Sequence, residues 1–398
     1  MAKRDVLTIL LTTFMGMALL YAPQPVFPVL AEELGVSETT IASLITWSLL
    51  PMAIVPLFGG LLMQVVSPRR LLAGSAFLLA GTELAFTVTE VFWGLVAIRF
   101  VQGALVSTLL AATMTYVSLQ ATRVARVMAL YVAASVLGGL VGRLAAGYGA
   151  AWIGISAVFL GIGGLTLGGA VLAWGLEPEP TRRQREVNLS RLGTVLQTPS
   201  LVPLYGVVFS AFFVFTALLN YAPFRISDLG VGGTGASGLA YIGFLLGIAA
   251  SLLSHRIVEF VGGKLRAITL GSVTLGAALG LAWVSAFSAV TASIVAASGG
   301  FFLLHAVLSG YVNQSTEADS SLVNGLYVAI YYTGGAAGSY VPGLVYEAAG
   351  WTAFLGVLAL VNTVGLGLLW YVARQQSPRA TPAGSATAPR TKQEAVSP

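Results

Sequence analysis

Long runs of apolar residues alternate with short polar breaks along the whole chain. Each run is close to the ~20 residues that a helix needs to cross a ~30 Å hydrocarbon layer. Runs such as 71–88 and 153–174 are almost continuously apolar, without the period-2 alternation of barrel strands. Backbone groups in lipid must bond to one another, which leaves helices or closed barrels, and this pattern selects helices. The breaks place twelve spans at about 6–30, 41–65, 71–89, 91–118, 125–149, 152–175, 201–224, 237–258, 266–285, 287–312, 321–346 and 351–373. The first run is too long for a signal-peptide core and lacks a cleavage pattern, so it is expected to remain as the first helix. The expected fold class is an all-α membrane protein.

The pattern also repeats. Residues 130–147, L-Y-V-A-A-S-V-L-G-G-L-V-G-R-L-A-A-G, match 326–343, L-Y-V-A-I-Y-Y-T-G-G-A-A-G-S-Y-V-P-G, at eight of eighteen positions with an offset of 196. Two further echoes pair Tyr21-Ala22-Pro23 with Tyr221-Ala222-Pro223, and Trp152 with Trp351. The twelve spans are therefore expected to form two pseudo-symmetric six-helix bundles, 1–175 and 201–374. Transporters use such halves for alternating access, with the site between them near the midplane. Residues 176–200 form the expected cytoplasmic linker, where Leu189, Leu192, Val195 and Leu196 recur at helical spacing and suit a surface helix. The tail 375–398 is rich in Pro, Ala, Ser and Thr and is expected to be disordered.

Composition agrees with a lipid environment. Of 398 residues, 57% are hydrophobic and 9% charged, against about 25% charged in soluble domains. With the N-terminus inside, seventeen of the twenty basic residues fall on the cytoplasmic side. Only Arg225 falls outside, and two lie within the membrane. That asymmetry predicts both termini in the cytoplasm. With no cysteine, disulfides and thiolate sites are excluded. No cofactor, metal site or nucleic-acid partner is expected.

Four ionisable side chains fall inside the spans: Glu83, Arg99, Arg143 and His305. Intramembrane charge requires a partner or a wet cavity. Counted from the outer helix ends, Glu83, Arg99 and Arg143 lie at one depth, roughly 11 Å in at 1.5 Å per residue. They read either as a structural ion pair with a snorkelling arginine or as a proton or anion site in a cavity. Gln24, Gln102, Asn220, His305, Tyr327 and Tyr331 are candidate cavity residues, and Tyr340 is a further tyrosine on the eleventh span. Gly138, Gly139 and Gly142, with their copies Gly334, Gly335 and Gly338, offer close helix contacts, static or sliding. Pro23, Pro25, Pro28, Pro51 and Pro56 can kink the first two helices.

These segments resemble the major facilitator superfamily, in its drug:proton antiporter-like branch. R-F-V-Q-G at 99–103 is similar to the family's fourth-helix Arg-x-x-Gln-Gly motif. By that match Arg99 takes part in proton transfer or cavity charge. The segment 60–70, G-L-L-M-Q-V-V-S-P-R-R, resembles the loop motif between helices two and three, with Arg69 and Arg70 as its basic part and Gln64 where the family has an acid. G-G-L-V-G-R-L-A-A-G at 138–147 resembles the fifth-helix antiporter motif, without its Gly-Pro pair and with Arg143 added. Within 6–30 there is no acid of the kind several drug exporters carry in their first helix.

The resemblance implies a monomeric secondary transporter in a bacterial inner membrane, exchanging protons for a small amphipathic or anionic solute. A uniporter or importer of a small metabolite is the alternative within that class. A primary pump would need a Gly-Lys-Ser/Thr phosphate loop, which does not occur. An intramembrane enzyme would need His-Glu-x-x-His or Gly-x-Ser-x-Gly, and neither is present. A non-transporting sensor would normally carry a signalling domain, and the chain shows none.

Overall fold

The computed structural model describes residues 1–179, 192–316 and 320–376. Among these, eleven helical stretches are long and apolar enough to cross a membrane, and the last holds two spans. The first span is not one helix. It comprises α1 (Lys3–Tyr21), a 3-10 turn at Gln24–Val26 and α2 (Phe27–Leu34). Pro23 and Pro25 have no N–H to give the carbonyls of Leu19 and Tyr21, so the α-ladder fails there. Gly35, at φ 60°, ends α2 in the left-handed region. Ser37 then caps the next helix, its hydroxyl accepting from Thr40 N at 3.2 Å.

The remaining helices follow in chain order: α3 (Glu38–Val65), α4 (Pro68–Val88), α5 (Phe92–Gln120), α6 (Val124–Ile153), α7 (Ile155–Trp174), the short α8 (Leu192–Leu196) and α9 (Val202–Asp228). The eighth span is broken into α10 (Gly233–Ala240), α11 (Phe244–Leu252) and α12 (Ser254–Val261). Then come α13 (Lys264–Ala282), α14 (Phe287–Gln314) and α15 (Ser320–Gln376). Pro51 and Pro56 sit inside an unbroken α3. Part of the expected linker helix falls on 180–191, and the tail beyond 376 likewise lies outside the described residues.

Helix alternation gives the bundle two unlike ends. One carries Lys3, Arg4, Arg69, Arg70, Arg123, Arg126, Arg256, Lys264, Arg266 and Arg374 at helix termini; we call it the basic end. The other carries Glu32, Glu33, Glu38, Glu90, Asp228 and Glu347, with Arg225 its one described base; we call it the acidic end. The sides are apolar and exposed, as at Phe77, Trp152, Val171, Leu360 and Phe260. A soluble protein buries such groups; lipid accepts them.

The repeat is physical. Gly138 and Gly142 of α6 lie against the backbone of Phe14 and Ala18 in α1, so close that a Cβ on Gly142 would meet Ala18 Cα at 2.6 Å. Gly334 and Gly338 of α15 lie against Phe209 and Phe213 of α9 in the same way, at 2.9 and 2.7 Å from their Cα atoms. Small residues four apart allow this backbone approach. The offset of 196 continues to the helix junctions: Gly154 (φ 84°) divides α6 from α7, and Gly350 (φ 75°) divides the two spans of α15. Only glycine takes such a φ without strain. The two other echoes are out of this register. Trp152 is exposed and Trp351 is buried with its indole N–H on Ala282 O at 2.8 Å. The chain breaks after Tyr21, whereas α9 runs on through Pro223.

At the acidic end the two halves touch. Gly147 of α6 meets Gly238 of α10 backbone to backbone, and Gly343 of α15 meets Tyr221 and Thr39. The Glu347 carboxylate accepts from Thr39 N at 2.9 Å, capping α3 from the other half. Nearer the midplane, Thr46 Oγ1 donates to Ala336 O at 2.9 Å.

Candidate transport site

Below that closed end, a cavity of about 190 Å³ lies between the halves. It runs from Tyr21, Gln24 and Arg143 toward Val132 and Ser251 nearer the basic end. Its C-terminal wall is aromatic. Phe212 stacks on Tyr331 with centroids 3.9 Å apart, and Phe215 on Phe301 at 4.3 Å. His305 stacks on Phe301 and contacts Tyr331, and the Tyr327 hydroxyl is 3.0 Å from its Nδ1. Tyr327 therefore reaches the cavity through His305. Tyr340 is half exposed on the outside of α15 and takes no part.

Arg143 is the cation of this cavity, 2% exposed. Its guanidinium sits over the rings of Tyr21 (4.3 Å), Phe244 (4.6 Å) and Tyr241 (5.1 Å). Nη1 donates to Gly139 O at 2.8 Å, the carbonyl one turn back, and Nε donates to Gln24 Oε1 at 2.6 Å. Among the described residues no carboxylate lies within ion-pair distance and no acceptor holds Nη2. Arg143 does not snorkel: the rings of both halves enclose it. The Gln24 amide continues outward, donating to Asn220 Oδ1 of α9, and Asn220 Nδ2 donates to Ala42 O of α3 at 3.3 Å. Asn220 lies behind Gln24, outside the cavity lining.

Glu83 and Arg99 form a separate group within the N-terminal half. They make no direct ion pair; Gln102 stands between them, which corrects the single cluster expected from depth alone. Gln102 Nε2 donates to Glu83 Oε2 at 2.9 Å, and Arg99 Nη1 donates to Gln102 Oε1 at 2.8 Å. Depth along the helices was common to all three charges, but azimuth separates them: Glu83 faces α7 at Gly163, and Arg143 faces the other half. Gln102 is fully buried in this relay and does not line the cavity. Arg99 also donates to Leu20 O and, at 3.5 Å, to Leu19 O. Leu19 is the carbonyl that Pro23 leaves without a partner, so the relay ends on the break in α1. Glu83 Oε1 has no partner among the described residues.

The glycines sort by neighbour. Gly138, Gly142, Gly334 and Gly338 pack within halves, whereas Gly139 faces the cavity beside Arg143, and Gly335 faces Phe212 and Leu49. Arg69 ties the start of α4 to the end of the sixth span, with Nη1 on Leu176 O at 2.9 Å; Arg70 is exposed. One buried acid escaped the sequence reading. Asp5 lies in the first turn of α1, 1% exposed, with Arg4 Nε at 3.8 Å and, among the described residues, no hydrogen bond to either oxygen. The first helix thus begins before the expected boundary and does carry an acid, at its basic end rather than in the cavity.

Twelve spans in two glycine-packed halves around a cavity define a helical membrane transporter. Residues 9–319 match the profile of the Major Facilitator Superfamily, and the chain belongs to that family. It is similar to the inner membrane transport protein YnfM of Escherichia coli, with 25% identity over 88% of this chain and 85% of that one. It is also similar to the multidrug efflux protein YfmO of Bacillus subtilis, with 24% identity over 88% and 89%. The human organic anion transporter MFSD10 (TETRAN) shares the fold, with a TM-score of 0.67 over 92% of this chain and 99% of its own, at 17% identity. The chain is accordingly an integral membrane transporter of small molecules, not an enzyme.

Proposed function

We propose that this transporter exports a small amphipathic organic anion by alternating access in exchange for protons. The single observation that carries the reading is Arg143, a cation enclosed between the halves without a carboxylate partner among the described residues. An uncompensated buried charge is costly, and an anionic occupant offsets that cost. The stacked rings opposite suit the apolar part of such a solute. A cavity of about 190 Å³ is below the ~300–1,000 Å³ of drug-sized sites, so the solute is small. The similarity to a multidrug efflux protein and to the fold of an organic anion transporter points the same way.

Glu83 is the proposed proton carrier. It is a buried carboxyl with one free oxygen, joined through Gln102 and Arg99 to the break in α1 four residues before Gln24. Loading it with a proton removes the negative charge that Arg99 faces across Gln102, and so weakens what holds Arg99 in place at the break. The positive-inside rule supports a basic end, and with it both termini, facing the cytoplasm; a bacterial inner membrane and a monomer complete the proposal. In inverted vesicles with an acidic lumen, the chain should accumulate aromatic carboxylates, and Arg143→Ala should abolish this. Accumulation of cations alone, or carboxylate transport indifferent to the gradient, would overturn the reading.

A further inference from the structure

The side edge of a guanidinium, Nε with Nη2, matches the two oxygens of a carboxylate. In Arg143 the Nη2 arm is free among the described residues, but the Nε arm is held by Gln24 Oε1 at 2.6 Å. A carboxylate that takes both arms must displace Gln24. That side chain is also one of the links between halves: its Nε2 donates to Asn220 Oδ1, and Asn220 holds Ala42 O of α3. All three side chains are buried, Gln24 and Asn220 fully, so a hydrogen bond lost there is costly.

We propose that Gln24 is a charge-reading switch: a bound carboxylate takes Arg143 Nε from it, breaks the Gln24–Asn220 bridge and releases the acidic end. This rests on the anion reading of the cavity. A neutral solute of the same shape fills the cavity but leaves Gln24 on Arg143, so the halves stay closed above it. Gln24 thus discriminates by gating, whereas Arg143 discriminates by binding. A ligand shifts a conformational equilibrium only through a difference in its interaction with the two states, and the contested Nε–H supplies that difference.

The test uses the whole chain, which has no cysteine of its own. Ser237→Cys places a thiol at a buried position beside the Gly147–Gly238 contact. Its labelling rate with a maleimide reports opening of the acidic end, and equilibrium dialysis with benzoate and benzamide reports binding. Benzoate should speed labelling about tenfold, the scale of one hydrogen bond to a charged group, and benzamide should not. Gln24→Leu should bind benzoate more tightly, because the competitor is gone, yet label fast with or without it. Asn220→Leu should also label fast without ligand and should bind benzoate more tightly than the parent, because the bridge that benzoate must break is already absent; it carries the test if Gln24→Leu does not fold. Benzoate-stimulated labelling in Gln24→Leu equal to the parent, or weakened benzoate binding there, would overturn the switch and leave the anion site standing. Failure of the parent to prefer benzoate over benzamide would overturn both.

Discussion

Gln24 of the N-terminal half and Asn220 of the C-terminal half are joined by a fully buried amide–amide hydrogen bond, directly above the only cation in the described cavity lining. Neither side chain is charged, and 196 residues separate them. Their meeting places the contact between halves within one side chain of the candidate binding group. The same short stretch of α1 receives Arg99 on Leu20 O, so the proposed proton relay and the cavity converge on the break at 19–24.

The glycine pairs give a test that separates packing from transport. Gly138→Ala puts a methyl 2.9 Å from Phe14 Cα, backbone that cannot move aside. It should cost about 1–3 kcal/mol, as overpacked sites do, and lower the melting temperature in detergent. Gly139→Ala puts its methyl 3.2 Å from Arg143 Nη1, a side-chain atom. It should leave the melting temperature nearly unchanged and slow carboxylate transport.

Glu83→Gln keeps an oxygen where Gln102 Nε2 donates, so the relay retains its shape. It should abolish gradient-driven accumulation while counterflow exchange continues. Gradient-driven transport at the parent rate by a well-folded variant would remove Glu83 from the coupling and direct attention to the partly buried His305–Tyr327 pair.

Orientation is open to a simple measurement in this cysteine-free chain. Glu33→Cys lies exposed at the acidic end and Arg123→Cys exposed at the basic end. In whole cells an impermeant thiol reagent should label the first and spare the second. The reverse pattern would invert the topology.

Much of the architecture was legible in hydropathy, because a span length is set by bilayer thickness and not by tertiary contacts. The glycine repeat was legible because backbone approach demands glycine at fixed spacing. Pairings around the helix axis were not. Depth counts along α4, α5 and α6 placed Glu83, Arg99 and Arg143 together, yet a one-residue step turns a helix by about 100° and sends their side chains to different neighbours. Gln102 was a candidate for the cavity, and its side chain turns instead to Glu83 and Arg99. Gln24 and Asn220 were singled out only as candidate cavity residues; their bond depends on how two distant helices dock, which no local pattern encodes. Asp5 was missed because an acid beside two bases at a chain start reads as solvated, whereas here it is buried, and the neighbouring Arg4 donates to Gly175 O at the end of the sixth span.

The central claim is that Arg143 reads the negative charge of the transported solute, and counterflow in proteoliposomes tests it most directly. Radiolabelled benzoate and benzamide are compared in the parent and in Arg143→Gln, which keeps a donor and much of the side-chain length. The account predicts that benzoate affinity falls about ten- to a hundredfold, the range for a lost hydrogen bond to a charged group, while any benzamide exchange is unchanged. Benzoate exchange by Arg143→Gln at the parent affinity, or an equal loss for both compounds in a well-folded variant, would contradict it.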